Sequence, residues 1–419
     1  MIGMKYLKWN RNSKILIAAI LVGFFSTLLG NTLKFATEYY EYKLYSNSES
    51  HPFLFFIFPF LGLFSIYFLR RALFKNKPNK GLKEIFEAIK TKNSNLPAYK
   101  IPSHYFNGLL TVVFGGSTGI EVSTVVASAA IGSVCSKKIG FLKRYKTELI
   151  CAGVAAAITA LFNSPIAGIL FSFEVISKKI TRLSIFISVS AVCSAFLFNY
   201  TLQEKPLFLT GTLHWNTFAI PYFILLGILA GFNSIYLTKS VIYFKNRFSK
   251  LENEKTRVFI SAVIIGVILF IFPSLFGEGY RTIKELLNNN ASFISIHSIV
   301  FLLLTVLLLK PIITSITLSG GGDGGVFAPS LFIGAILGLI VSTVLNQIFG
   351  LNVIPLNFIL VGMGAVLSSS IHAPFTSIFL ICGLIGNYTL LIPLLIACMV
   401  SKFVSQKILP YTVYSYSGK

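Results

Sequence analysis

Acidic residues are scarce: the chain carries 14 Asp and Glu among 419 residues, and charged residues of both signs make up only 12% of it. A soluble protein of this length needs far more charge to wet its surface. Cysteine is sparse too. Cys135, Cys151, Cys193, Cys382 and Cys398 are odd in number, scattered and mostly inside apolar runs. That excludes a disulfide framework or metal-ligand spacing and leaves small buried hydrophobes. The five histidines are also scattered; His372, in Ser370-Ile371-His372-Ala373-Pro374, stands alone at a helix break and reads as structural. No HExxH pair, phosphate loop or nucleophile–base pairing is present, so neither an enzyme nor a cofactor or metal is expected. No polar stretch is long enough for a separate soluble domain. The largest, from about 75 to 103, holds one short amphipathic helix, Leu82 to Ile89. The chain ends at Lys419 soon after its last apolar run, so a single membrane domain over 1–419 is expected, with no regulatory domain.

In place of charge there is apolar mass, 54% hydrophobic residues with a mean hydropathy of +0.77. That is the composition of a protein with its surface in lipid. Apolar runs fall near 15–34, 53–69, 104–134, 148–177, 184–201, 217–241, 257–276, 296–318, 325–349, 353–369 and 373–404. Several are short or interrupted by Gly and Pro, which predicts tilted and partial helices. The first lacks a small-residue cleavage site behind it and reads as a retained helix.

The 36 Lys and Arg give a net charge of +22, which in a soluble protein would suggest nucleic acid. Here the cations cluster in short loops: Arg70, Arg71, Lys75 and Lys77; Lys137, Lys138, Lys143, Arg144 and Lys146; Lys178, Lys179 and Arg182; Lys245, Arg247 and Lys250. That is the positive-inside pattern, so no nucleic-acid partner is expected and these loops belong in the cytoplasm. The basic N-terminus (Lys5, Lys8, Arg11, Lys14) joins them.

Two glycine-rich breaks interrupt apolar segments, Gly115-Gly116-Ser117-Thr118-Gly119-Ile120-Glu121 and Gly320-Gly321-Gly322-Asp323-Gly324-Gly325-Val326-Phe327-Ala328-Pro329. Backbone that leaves the helix at membrane depth survives only against protein or a polar cavity. A helix restarting there points free N–H groups and its positive dipole end into that cavity. One such break per half describes an anion site. Each is followed by a second break beside proline, Phe162-Asn163-Ser164-Pro165 and Ile371-His372-Ala373-Pro374, which points to an internal repeat, roughly 15–201 and 217–404.

These residues resemble the CLC family of chloride channels and chloride/proton exchangers. Gly324-Gly325-Val326-Phe327-Ala328-Pro329 is similar to the family's GxFAP signature, Ala155 to Phe171 to its AAFNAPLAGILF region, and His372-Ala373-Pro374-Phe375-Thr376 to its RAPLT turn. Gly119-Ile120-Glu121-Val122-Ser123 stands where GREGP is expected, so the resemblance covers nearly the whole membrane domain. It implies an all-α polytopic membrane protein with two inverted-topology repeats, a homodimer in the bilayer with one pore per subunit, and both termini inside. Its cargo would be chloride or a similar small anion, with protons.

The family's gating glutamate matches Glu121, an acidic residue in an apolar segment and thus functional on general grounds. A carboxylate at a helix N-terminus is held by the N–H groups that would hold chloride, and protonation releases it. Its neighbours Gly119, Ile120, Val122 and Gly325 line the breaks, and the backbone N–H groups of Val326 and Phe327 are the expected anion donors. The GSGIP motif is not intact: Asn79-Lys80-Gly81-Leu82-Lys83 puts Lys80 at the serine. Lys80 either reaches the anion, where it would pair with the anion or with Glu121, or is one more loop cation. Of two tyrosines that could supply the second hydroxyl, Tyr411 is the closer match and Tyr414 the reserve. Val175 stands at the proton-relay position, after a Glu174 read as structural. A valine carries no proton, which favours a channel. The domain-free chain with Glu121 favours proton-coupled exchange, and the balance leans to exchange, with a passive, pH-dependent channel as the alternative. Chloride is the default anion, with nitrate, bromide and fluoride open because the serine is lost.

Overall fold

A computed structural model describes residues 11–77, 79–91, 95–138, 140–177, 179–203, 206–208, 213–288 and 296–416. Lys5, Lys8 and Lys178 of the basic clusters lie outside these residues. The first half comprises α1 (Arg11–Ser50), α2 (Phe53–Leu73), α3 (Leu82–Lys90), α4 (Lys100–Val113), α5 (Ile120–Lys138), α6 (Lys146–Phe162), α7 (Pro165–Phe171) and α8 (Arg182–Thr201). The second comprises α9 (Ile220–Ser249), α10 (Glu254–Ile271), α11 (Tyr280–Asn288), α12 (Ile296–Ser319), α13 (Phe327–Gln347), α14 (Pro355–Ile371), α15 (Pro374–Ile385) and α16 (Leu391–Ile408). Among the described residues there are helices but no strands, and nine helical segments are long and apolar enough to cross a membrane.

Partial helices occur where Gly and Pro interrupt the apolar runs. The run at 104–134 divides into α4 and α5 at the first glycine-rich break, and the run at 373–404 divides into α15 and α16. Gly386 ends α15 with φ +63, a conformation that costs a residue with a Cβ. The amphipathic stretch at 82–89 forms α3, with Leu82, Ile85 and Ala88 inward. The 40 residues of α1 give a helix about 60 Å long, twice a bilayer's hydrocarbon thickness, so its second half runs beyond the apolar run at 15–34.

The two halves repeat the same backbone devices. Asn163 ends α6 at φ 49, ψ 33 and Pro165 opens α7; His372 ends α14 at φ 55, ψ 35 and Pro374 opens α15. In both, a left-handed residue turns the chain and a proline, whose missing N–H is no loss at a first turn, restarts the helix. Each helix that begins at a glycine-rich break is also clamped by its successor at glycines. A Cβ on Gly153 of α6 would strike the Ser128 carbonyl of α5, and one on Gly334 of α13 would strike the Gly362 carbonyl of α14. Such close approach fixes a helix start when lipid supplies no hydrophobic drive between helices.

Candidate functional site

The two glycine-rich breaks solve each other's hydrogen-bonding problem. Gly119 N–H donates to the Gly325 carbonyl and Gly325 N–H returns the bond to Gly119, both at 3.1 Å. Around this bridge, Ser117 N–H donates to Thr317 Oγ1 (3.2 Å) and the Thr118 hydroxyl to the Asp323 carbonyl (3.1 Å). Arg70, in the last turn of α2, donates to the Gly321 carbonyl. The starts of α5 and α13 are therefore held side by side, with protein supplying the partners that lipid cannot.

At the start of α5, Glu121 is 2% exposed. Its Oε1 accepts from the Tyr280 hydroxyl at 2.6 Å. Its Oε2 folds over Gly119, where a Cβ would collide with it, and has no partner within hydrogen-bond distance. The backbone amides of Glu121 and Ala328 nevertheless face the carboxylate, one from each helix start. One residue earlier, Ile120 N–H donates to Glu278 Oε1 at 2.8 Å.

The start of α13 is built without carboxylates. Val326 N–H donates to the Tyr414 hydroxyl at 3.1 Å. Phe327 is buried, its ring stacked on Phe162 at 5.5 Å and edge-on to Phe171 at 6.1 Å, so its side chain is taken up by packing. Tyr414, Val326, Gly325, Val122, Gly81 and Lys80 line a cavity of about 110 Å³. Gly81, at φ +62 and ψ −142, opens α3 in a backbone region that glycine alone enters freely.

Tyr414, Lys80 and Val175 are placed by their local contacts. Tyr414, not Tyr411, meets Val326: the Thr412–Ser415 turn, closed by Thr412 N–H on Ser415 Oγ at 2.9 Å, directs residue 414 inward. Tyr411 instead packs its ring on Tyr416 at 5.1 Å. Lys80 lies at the cavity edge and does not pair with Glu121. Its N–H is held by Glu84 Oε1 at 2.6 Å, which turns the side chain along α3, and its half-exposed ammonium sits 3.7 Å from Glu87. Val175 sits in one π turn, Ser172–Ile176. Glu174 beside it accepts from Thr376 N–H and the Thr376 hydroxyl, both at 2.7 Å, capping α15.

Below the bridge lies a second polar network. His104 Nδ1 lies 2.9 Å from Asp323 Oδ2, Asn79 donates to Asp323 at 2.7 Å, and the Lys100 ammonium donates to Glu84 at 2.8 Å. Burial works to raise the Glu84 carboxyl, but hydrogen bonds from His104, Lys100 and the Lys80 amide outweigh it and hold it down at about 2. Among the described residues no three His, Cys, Asp or Glu side chains gather as a metal site.

Sequence reasoning misses Tyr280, Glu278 and His104, whose roles exist only through contacts across the fold. Lys310 carries a legible signal, a cation inside the apolar run Leu307-Leu308-Leu309-Lys310-Pro311.

The family model described as voltage gated chloride channel matches residues 61–406. The chain is 28% identical over 363 residues to an H(+)/Cl(-) exchange transporter ClcA of Vibrio campbellii, covering 83% of this chain and 75% of that one. It is 27% identical over 311 residues to a voltage-gated ClC-type chloride channel ClcB of Escherichia coli, covering 73% and 72%. Among solved structures, a slow cyanobacterial Cl-/H+ antiporter superimposes with a TM-score of 0.83 over 96% of both chains, at 22% identity.

Proposed function

Because the chain belongs to the voltage gated chloride channel family, we propose that it moves chloride or a similar small anion across a membrane in exchange for protons, with Glu121 as the proton-linked gate. The observation that carries this reading is the Glu121 carboxyl at the start of α5, buried beside the Gly119–Gly325 bridge and held by the Tyr280 hydroxyl. As an anion it takes the place a transported anion needs at that helix start. Once protonated it loses most of that attraction, swings off the amides and admits the anion. The same side chain thereby counts one proton against the anions that displace it.

The anion on the cytoplasmic side is received by the Val326 and Phe327 amides and the Tyr414 hydroxyl, whose proton remains available after it accepts from Val326 N–H. Gly81 lets α3 approach the cavity closely, and Lys80 supplies positive potential at its edge. Ile120, Val122, Gly119 and Gly325 shape the passage. We place the protein in the cell membrane as a homodimer, each chain one membrane domain of two inverted repeats (about 15–201 and 217–404), with both termini in the cytoplasm.

The deciding experiment is chloride efflux from proteoliposomes with external pH recorded before any ionophore is added. Proton uptake in fixed ratio to chloride, drivable uphill, is the expected result. Flux without proton movement would make the protein a passive pH-dependent channel, the reading that Val175 favours because it removes one proton relay.

A further inference from the structure

The loop after α10 and the first residue of α11 grip the start of α5 at two adjacent residues. Glu278 takes the Ile120 N–H at 2.8 Å, and Tyr280, two residues on, donates to Glu121 at 2.6 Å. Glu278 is 4% exposed, a carboxyl withdrawn from solvent directly beside the gate. Behind it stands Lys310, fully buried in α12, its ammonium donating to the carbonyls of Gly277 (3.1 Å) and Leu275 (3.3 Å) and lying 4.6 Å from the Phe332 ring centre. Glu41 reaches the same loop from α1, where a Cβ on Gly277 would meet its carboxylate. Ions cost too much to bury at random, so a lysine ringed by two acids and two carbonyls next to a gating carboxyl is a built arrangement.

We propose that Glu278 is a positioning residue for the gate, setting the pH at which Glu121 opens the pathway. This rests on Glu121 being that gate. Two carboxylates at one helix start repel, so a charged Glu278 makes the charged form of Glu121 harder to keep and the protonated form easier to reach. Glu278 also occupies an amide at the positive end of α5, weakening the field that would hold Glu121 closed. Every charged or titratable group facing the pair enters the balance. Tyr280 and Lys284 come from α11, Glu38 and Glu41 from α1, Lys310 from α12, and Tyr414 from the C-terminal segment. Lys310 is the cation that Glu278 and Glu41 share, so the charges of the cluster depend on one another in a place where water cannot screen them. Glu278 acts through Glu121 and touches neither anion nor pore.

The test is the pH profile of chloride efflux from proteoliposomes of the full chain carrying Glu278→Gln, Glu278→Asp or Glu121→Gln. Glutamine still accepts from Ile120 N–H but carries no charge. The expected result is a midpoint moved to lower pH by about one unit in Glu278→Gln, with Glu278→Asp between it and the unaltered protein. An unchanged midpoint in Glu278→Gln, or in Glu278→Asp if the glutamine variant does not fold, overturns the proposal. Glu121→Gln separates the two readings. A flat profile there upholds the gate, whatever Glu278 does. A pH-responsive Glu121→Gln beside a flat Glu278→Gln would move the gate to Glu278 and overturn both.

Discussion

At the start of α5 the free amides face carboxylates: Ile120 N–H meets Glu278, and Glu121 folds back over Gly119. At the start of α13, a matching glycine-rich break away, Val326 N–H meets a neutral hydroxyl on Tyr414 and the first helical side chain is a stacked phenylalanine. Both ends offer the same positive dipole, and they are joined by the paired bonds of Gly119 and Gly325. They differ only in what fills them. A carboxyl leaves when protonated, whereas a hydroxyl keeps its form across the physiological range. With Glu121 as the proposed gate, one helix start would thereby be sensitive to protons and the other, built alike, would not.

The comparison breaks most completely if the bridge itself is forced apart. A Cβ on Gly325 meets the Val122 side chain and comes 2.7 Å from the Tyr414 hydroxyl. Gly325→Ala should therefore lower anion flux on the order of a hundredfold, measured against the protein's unchanged recovery from membranes. Next comes the proton-sensitive end. Glu121→Gln should give flux that is flat from about pH 4 to about pH 8, and retained pH dependence in proteoliposomes removes Glu121 from the gate. The insensitive end should yield affinity without pH effects. Tyr414→Phe deletes the acceptor of Val326 N–H and should weaken anion binding roughly three- to tenfold with the pH profile intact, while Tyr411→Phe changes neither by calorimetry or flux. Smallest is Lys80→Ser. A half-exposed ammonium paired with Glu87 should alter relative chloride and nitrate flux by no more than about twofold, and a larger change would bring Lys80 into the pathway.

The contrast between the two ends also marks how far the sequence carries. The breaks at 115–121 and 320–329 were legible because glycine clusters have no other use in an apolar run, and Glu121 because acids there are rare. The turns at Asn163 and His372 were legible from the prolines that follow them. Tyr414 was not, since a turn at Thr412–Ser415 sets which tyrosine faces inward, and its side-chain hydrogen bonds leave no periodic trace. Lys80 was left open for a similar reason. Its course depends on an amide held by Glu84, itself anchored by Lys100 and His104. Glu278 lies 158 residues from the amide it caps, and no local pattern announces such a partner.

The ladder of two bonds between Gly119 and Gly325 has a mechanical consequence. A carrier that rocked its halves apart around a central site would tear both bonds at once, in a place without water to replace them, and each unpaired group there costs several kcal/mol. The halves are welded at the point where rocking would need a seam. Motion during a cycle must then be carried by parts smaller than a half: the Glu121 side chain, the Tyr414 segment, the loop that holds Glu278. On the mechanism proposed above, the scaffold would stand still while its side chains turn over, and access would alternate by the swing of a single carboxyl.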